Sequence, residues 1–243
     1  MGGSIAHQTV SELGGRSSVL QRQRADHARL DRLLQQARER DGDEQQETLT
    51  AICRLVFPHA FAEESVLWPA VRRALADGPA LTLRIEEEHQ QVNELVTELE
   101  RSRPGDPGRA ALLERVFAVL DEDVRDEEDL LLPQLQEALD PPALRRLGLT
   151  WELVRRVAPT RPHPVVARRP PGNVLAALPL SLLDRSRDAL DRVARRRHGR
   201  VAVAAEAASH RLAGLAGRVE RFRPFTRGEH PRTHRDPATE TSP

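Results

Sequence analysis

Apolar residues recur every three or four positions in four long segments within the first 140 residues of the chain. This spacing is typical of helices that bury one face. Clusters of Gly, Pro and Asp separate the segments at residues 41–43, 77–79 and 104–108, where they favour turns. We therefore predict four helices, at about residues 17–40, 44–76, 80–101 and 109–139.

The second and fourth segments carry the same motif, 64 residues apart. The residues that match between them are Glu63 and Glu127, Glu64 and Glu128, Leu67 and Leu131, and Pro69 and Pro133. The lone histidines of the first and third segments, His27 and His89, also occupy equivalent positions. Residues 17–139 are therefore predicted to be a duplicated helix pair. Two such pairs bury their apolar faces by forming an all-α, up-down four-helix bundle.

Several polar residues fall at core positions of the predicted helices: His27, His59, Glu63, His89, Asp123 and Glu127. Burying even one unpaired carboxylate costs several kcal/mol, so three of them in one core require cations. Three neutral histidines with three carboxylates suit two divalent metal ions. Imidazole and carboxylate ligands without thiolates favour iron or manganese over a closed structural zinc site.

Each of these residues also has a simpler interpretation. A lone histidine in a core is usually only hydrogen-bonded, and Asp123 lies within the acidic run 121–123, which a solvated surface would also explain. We expect Glu64 and Glu128 at the surface or behind the ligands, and Asp26 facing outward. The common spacing of the motifs in a duplicated frame favours metal ligation over these interpretations.

The order of the motifs resembles the haemerythrin-like (HHE cation-binding) domains over about residues 17–139. Their pattern is a lone His, a His-x-x-x-Glu pair, a second lone His and a second His-x-x-x-Glu pair. Here it reads His27, then His59 with Glu63, then His89, then Asp123 with Glu127. The chain departs from the pattern at Asp123, which stands in place of a histidine.

The resemblance implies a non-haem di-iron centre, in which Glu63 and Glu127 bridge two irons. His27 with His59 would complete one iron site, and His89 with Asp123 the other. Family members are linked to oxygen, peroxide, nitric oxide or iron sensing, so the expected ligand is a small diatomic molecule or peroxide. Oxygen-carrying haemerythrins have a second histidine on the third helix where this chain has Asn93, which argues against reversible oxygen carriage.

Two other functions remain open at this point. Fewer histidines and more carboxylates shift a di-iron site towards a di-iron oxidase or peroxidase, with manganese as an alternative metal. The bundle could also be a metal-free interaction module that acts through its basic C-terminal part. The expected function is a metal-binding sensor rather than an enzyme, without assigned catalytic residues.

The remaining chain differs in composition from the bundle. Residues 1–142 contain 28 Asp and Glu against 16 Arg, whereas residues 143–243 contain 9 Asp and Glu against 21 Arg. We predict a flexible tail at 1–16, a Pro/Arg-rich linker at 141–173, a basic amphipathic helical segment at 174–218 and a disordered tail at 219–243. Because the linker should carry few buried contacts, the bundle at 17–140 is expected to fold without the rest.

The Arg-rich stretch 185–200 suggests an anionic partner, such as nucleic acid or a membrane surface, or docking on the acidic bundle. Trp151 and Leu153 are expected to pack a short helix onto the bundle end. The single cysteine, Cys53, excludes an internal disulfide and is interpreted as a small core residue. His163 is expected to have no role. The first residues lack the features of a signal peptide, and no apolar run is long enough to span a bilayer, so we expect a cytoplasmic protein.

Overall fold

The computed structural model describes residues 3–103 and 105–234, which form helices and irregular segments and contain no strand. The helices are α1 (Val19–Glu39), α2 (Gly42–Ala62), α3 (Trp68–Ala74), α4 (Gly78–Arg101), α5 (Arg109–Asp126), α6 (Leu132–Ala138), α7 (Pro141–Val157), α8 (Gly172–Arg196) and α9 (Arg200–Val219). Short 3-10 turns lie at Ile5–His7 and Arg223–Thr226. The predicted all-helical class is confirmed.

Two π-helical turns interrupt the second and fourth predicted helices, at Glu63–Leu67 and Glu127–Leu131. In each turn the backbone N–H of the residue that follows donates to the carbonyl five positions earlier, from Trp68 to Glu63 and from Leu132 to Glu127. A proline comes next in both cases; it lacks an N–H and crowds the carbonyl four residues before it. The wider turn accommodates that proline, and π turns of this kind occur frequently at functional sites.

The apolar core of the first half is divided into two clusters. One contains residues 30–37 of α1, 49–57 of α2, 92–99 of α4 and 112–120 of α5. The other contains residues 19–20 of α1, 62–71, Ile85 and 131–135, together with Trp151 of α7. Each of the four long helical segments therefore contributes to both clusters, and its metal-ligand candidates lie between them. This arrangement places a polar layer across the middle of an apolar core.

The N-terminal segment is packed, which contradicts the predicted flexible tail for its described residues. Ile5 and Leu13 are fully buried and belong to the same cluster as Trp151. The sequence did not identify these two residues as buried, because the segment is Gly/Ser-rich and has no helical periodicity. In such a segment apolar side chains are buried singly, without a repeating pattern.

Helix α7 lies directly against the start of α1. Gly148 makes this approach possible, since a Cβ atom there would lie 2.1 Å from the carbonyl oxygen of Ser17. The close approach buries Trp151, as expected, but its indole reaches the polar layer rather than the end of the bundle. Leu153 is 66% exposed, so the expectation that it packs on the bundle is wrong.

The segment between α7 and α8 is irregular, as its prolines predict, but it is largely buried. Val165, Val166 and Ala167 are each 5% exposed or less. The backbone N–H of His163 donates to Oδ1 of Asn93 on α4, which gives a buried amide its partner. The expectation that this linker carries few buried contacts is therefore wrong, whereas the domain boundaries stay a prediction.

Helices α8 and α9 pair with each other and are joined to the first half by charge. Glu100 of α4 accepts from Arg161 at 3.1 Å and lies 3.6 Å from Arg187, and Arg54 donates to Asp188 at 2.8 Å. Part of the basic half thus docks on the acidic half. Other arginines are exposed around the turn between α8 and α9, namely Arg192, Arg195, Arg196, Arg197 and Arg200.

The C-terminal segment also makes defined contacts. The carbonyl of Phe225 accepts from Ala167, the carbonyl of Arg227 accepts from Gly172, and Thr233 is buried. The predicted disorder is therefore wrong for residues 219–234, and residues 235–243 lie outside the described part of the chain. Among the helices of the described residues, none combines the length and apolar character that crossing a membrane requires.

Candidate metal centre

The six predicted metal ligands meet in the polar layer between the two apolar clusters. Each of them is 9% exposed or less, and Glu63 is completely buried. Helices α1, α2, α4 and α5 each supply a residue, and the two π turns supply the glutamates. The structure therefore brings together all six candidates, whereas metal ligation by them stays a prediction.

One group of ligand atoms forms around His27 and His59. Their Nε2 atoms lie 3.3 Å apart. Oε1 of Glu63 is 3.0 Å from Nε2 of His59, and Oε2 of Glu127 is 3.1 Å from Nε2 of His27. The ligand atoms of His27, His59 and Glu127 all lie within 4.8 Å of one another, which is compatible with a shared ion.

A second group forms around His89. Its Nε2 atom lies 3.4 Å from Oδ1 of Asp123, 3.6 Å from Oε2 of Glu63 and 3.9 Å from Oε1 of Glu127. Each glutamate thus directs one oxygen to each group. This is the division of histidines and carboxylates that the family resemblance implied.

The atoms that face these two groups fit a cation. Several of them are buried and have no hydrogen-bond partner among the described residues: Oε2 of Glu63, Nε2 of His89, Oδ1 of Asp123 and both carboxylate oxygens of Glu127. A buried polar atom without a partner costs about 1–3 kcal/mol, so native proteins seldom keep several of them at one place. A cation coordinated by these atoms would supply the missing partners.

A carboxylate lies behind each histidine. Oε1 of Glu128 is 2.9 Å from Nδ1 of His27, and Oε1 of Glu64 is 3.0 Å from Nδ1 of His89. Carboxylates in this position fix the tautomer and orientation of a ligating histidine. We expected Glu64 and Glu128 either at the surface or behind the ligands, and the structure places both behind candidate ligands.

The third histidine, His59, has Asp26 as its carboxylate partner, with Oδ2 3.3 Å from Nδ1. The expectation that Asp26 faces outward is wrong, because its carboxylate reaches His59 of α2. Helical spacing alone cannot detect this contact, since Asp26 is off the buried stripe of α1.

The carboxylates of the layer raise the pKa values of two of its histidines. Burial opposes protonation of His27, but Glu127 and Glu128 overcome it and raise its pKa to about 9. Burial acts in the same way on His89, where Asp123 and Glu64 raise the pKa to about 10. Because a ligating histidine must be neutral, a metal ion would displace these protons when it binds.

The carboxylates respond differently to the shared site. Burial, and after it repulsion from Glu127, raise the pKa of Glu63. Burial also raises the pKa of Asp123 well above its ordinary value, against the attraction of His89. The pKa of Glu127 is lowered despite its burial, because the imidazole of His27 lies 3.1 Å from its Oε2 atom and favours the charged carboxylate. A nearby cation would stabilise the charged forms of carboxylates that lie this close together.

Sequence reasoning missed two kinds of neighbours. Nε2 of Gln23 donates to Oε1 of Glu63 at 2.6 Å, one helical turn before His27 on the same face of α1. Gln23 is a polar residue at a core position of α1, and this feature of the sequence could have identified it. Two indoles also flank the layer: Trp151 meets His59 edge-on with ring centroids 5.3 Å apart, and Trp68 stacks on His89 at 6.4 Å.

His163 and Cys53 were not expected to take part in a site. His163 is buried and lies 3.1 Å from Asp184 and 3.2 Å from Glu220, so it links the irregular segment to α8 and α9. The expectation that it has no role is wrong, although its role is structural, through its contacts with Asp184 and Glu220. Cys53 is partly buried and packs against the core; burial raises the pKa of its thiol to about 12, which disfavours a reactive thiolate.

A small cavity of about 20 Å³ adjoins the candidate ligands. Its lining combines polar and apolar side chains, those of Asp26, His27, His59, His89 and Asp123 with those of Leu30, Leu55, Val56, Ala60, Leu120 and Val124. A wider surface groove of about 350 Å³ reaches His27 and Glu128 from outside. The space beside the ligands is about that of one water molecule.

Comparisons with known proteins agree with this geometry. Residues 18–135 match the Hemerythrin HHE cation binding domain. The chain is 23% identical over 135 residues to an uncharacterized hemerythrin-like protein of Schizosaccharomyces pombe, a match that covers 55% of this chain and 66% of the relative. The chain thus spans slightly less than two thirds of that relative, and no solved structure matches it significantly. Residues 18–135 are therefore a domain of the haemerythrin HHE cation-binding family.

Proposed function

We propose that the domain binds two metal ions, preferably iron, between its two apolar clusters. His27 and His59 would hold one ion, His89 and Asp123 the other, and Glu63 and Glu127 both. The observation that carries this proposal is the division of the glutamate oxygens, since each carboxylate has one oxygen near each histidine group. Manganese fits the same donors, whereas zinc favours sites with fewer oxygen ligands.

The scaffold for this centre is, in our proposal, an up-down four-helix bundle. Its four members are α1, α2 continued by α3, α4, and α5 continued by α6, each with residues in both apolar clusters. Bundles of this kind place cofactor ligands on facing helices, where rigid backbones set the distances between them. The π turns would add the freedom needed to turn each glutamate inward.

A small ligand is the expected partner of the centre. Bound iron would supply redox chemistry and affinity for molecules such as oxygen, peroxide or nitric oxide. The cavity beside His27, His59 and His89 is about the size of one water molecule, so its volume favours the smallest ligands over larger substrates. We therefore infer a protein that senses or handles small oxygen or nitrogen species, or iron itself.

The chain's own residues would control the environment of the ligand. Leu30, Leu55 and Leu120 contribute apolar surface without hydrogen-bond donors to the cavity lining, so water would be held weakly beside them. Asp123 is shorter than the histidine found in the family pattern, and it lines the cavity. It makes the His89 side richer in oxygen donors, which favour an oxidised metal ion over a reduced one.

An anaerobic titration of the metal-free protein with Fe²⁺ tests the proposal. We expect two ions per chain, followed by a change in the optical spectrum when oxygen is admitted. Fewer than one ion per two chains would overturn the proposal and leave a metal-free interaction module. Sustained peroxide turnover by the loaded protein would instead identify an oxidase or peroxidase.

A further inference from the structure

Two of the three carboxylates behind the histidines contact an arginine that lies beyond the family match. On the first side, Nη1 of Arg155 in α7 lies 3.5 Å from Oδ2 of Asp26, the partner of His59. The guanidinium of Arg155 also stacks over the indole of Trp151, 5.2 Å from its centroid. Only the side chain of Asp26 therefore lies between Arg155 of α7 and the candidate ligand His59.

On the second side, Nη1 of Arg168 lies 3.6 Å from Oε1 of Glu64, the partner of His89. Arg168 is 7% exposed, and its Nη2 donates to the carbonyls of His163 at 3.0 Å and Val166 at 3.2 Å. Its backbone N–H donates to the carboxylate of Glu229. The irregular segment before α8 thus holds a buried cation at the back of the second histidine.

Among the residues that the structure describes, His27 has no arginine behind its carboxylate partner. Glu128, the partner of His27, forms no ion pair with an arginine in the described part of the chain. It borders the surface groove instead. Glu64 and Glu128 are equivalent in the duplicated frame, so the difference between them arises from the residues that follow the domain.

We propose that the region after residue 140 is part of the metal centre, with Arg155 and Arg168 as positioning residues. Arg155 would hold Asp26 so that it orients His59, and Arg168 would hold Glu64 so that it orients His89. This inference rests on the proposed function, because it assumes that both histidines bind metal.

The physical reason lies in the charge of the carboxylates. Glu64 is 1% exposed, and burying a carboxylate this deeply is costly unless a cation lies beside it. A carboxylate that is held in place fixes the ring of the ligating histidine, and loss of such an outer partner costs about 10- to 100-fold in metal affinity. The two arginines should therefore act on metal affinity without touching the metal.

The test uses the full-length protein with Arg155→Gln and Arg168→Gln, and Mn²⁺ as the probe. The matched controls are the adjacent arginines, Arg156→Gln and Arg169→Gln. Arg156 pairs with Glu152 at the surface, and Arg169 pairs with Glu86, which is completely buried. Arg169→Gln therefore reports what the loss of a buried structural ion pair does. The affinities of both Mn²⁺ ions are measured by competition with a chelator.

We expect each test variant to weaken one of the two ions by about 10- to 100-fold, and both controls to bind as the parent does. Arg155→Lys and Arg168→Lys should each keep part of the affinity that the glutamine variants lose, because lysine keeps the positive charge. The thermal unfolding of the metal-free variants is measured in parallel. Lower stability of Arg155→Gln and Arg168→Gln with parental Mn²⁺ affinity would overturn the inference and leave both residues a packing role only.

Failure of the proposed function would look different. If the parent and the controls bind no Mn²⁺ or Fe²⁺, the metal centre itself is wrong. If the parent binds two ions and all four glutamine variants bind them equally well, the metal centre stands and the positioning role is wrong.

Discussion

Nε2 of His27 and Nε2 of His59 lie 3.3 Å apart in the interior of the protein, and each is close to a different glutamate. Two imidazole nitrogens at this distance either share a proton or share a cation. Because Glu63 and Glu127 also reach towards His89, one pair of carboxylates serves both sides of the layer.

The first prediction follows from that shared role. Glu63→Ala and Glu127→Ala should each lose more than half of the bound iron, since each removes an oxygen from both groups. Glu114→Ala, at an exposed position of α5, is the control and should keep the parental content. Iron is measured by elemental analysis after anaerobic loading and desalting. Parental iron content in either test variant would refute the bridging role.

The second prediction concerns Asp123. Its Oδ1 atom lies 3.4 Å from Nε2 of His89, which makes it the candidate ligand specific to that side. Asp123→Ala should reduce binding towards one ion per chain, and Asp123→His should tighten the weaker ion by about tenfold or more, because imidazole suits divalent iron. Competition titrations measure both affinities. If Asp123→Ala binds two ions with parental affinity, Asp123 is not a ligand.

The third prediction concerns pH and His163. Asp184 and Glu220 overcome the effect of burial and raise the pKa of His163 to about 9, above about 6.5 in an unfolded chain. A pKa raised by folding stabilises the protein fully below about 6.5, and this contribution is lost as the pH rises to about 9. The shift corresponds to about 3 kcal/mol at most.

Urea unfolding of the metal-free protein at pH 6, 7.5 and 9 measures this contribution. The difference in unfolding free energy between the parent and His163→Gln should shrink as the pH increases. His198→Gln, at an exposed position, should show little difference at any of these pH values. A difference for His163→Gln that stays constant with pH would contradict the ion-pair origin of the stabilisation.

A fourth prediction tests the close approach of α7 to α1. Gly148→Ala would place a Cβ atom 2.1 Å from the carbonyl oxygen of Ser17, so α7 must move and Trp151 with it. We expect about 1–3 kcal/mol of destabilisation and weaker metal binding on the His59 side. Gly214→Ala in α9 is the matched control, because its Cβ would meet no atom within 4 Å. That substitution should be neutral or stabilise by up to about 1 kcal/mol. Equal stability of the two variants would argue against the close contact.

Local periodicity made much of the domain predictable from the sequence. Core positions recur along a helix at a fixed spacing, so a polar residue such as His27 or Glu63 at one of them stands out without any structure. The duplication then made His89 and Glu127 recognisable from their partners. The irregular segments escaped prediction, because Val166 or Leu13 is buried there by contacts that no periodic pattern records.

The sequence by itself determined the helical class, the order of the motifs and the six residues that meet in the core. Only the tertiary structure decided which atoms of Glu63 face which histidine, and that Asp26 and Glu64 stand behind the rings. It alone brought Arg168 next to Glu64, 104 positions apart in the chain. The physical reason is that helical spacing fixes the direction of a side chain within its own element, whereas contacts between elements depend on how the elements pack.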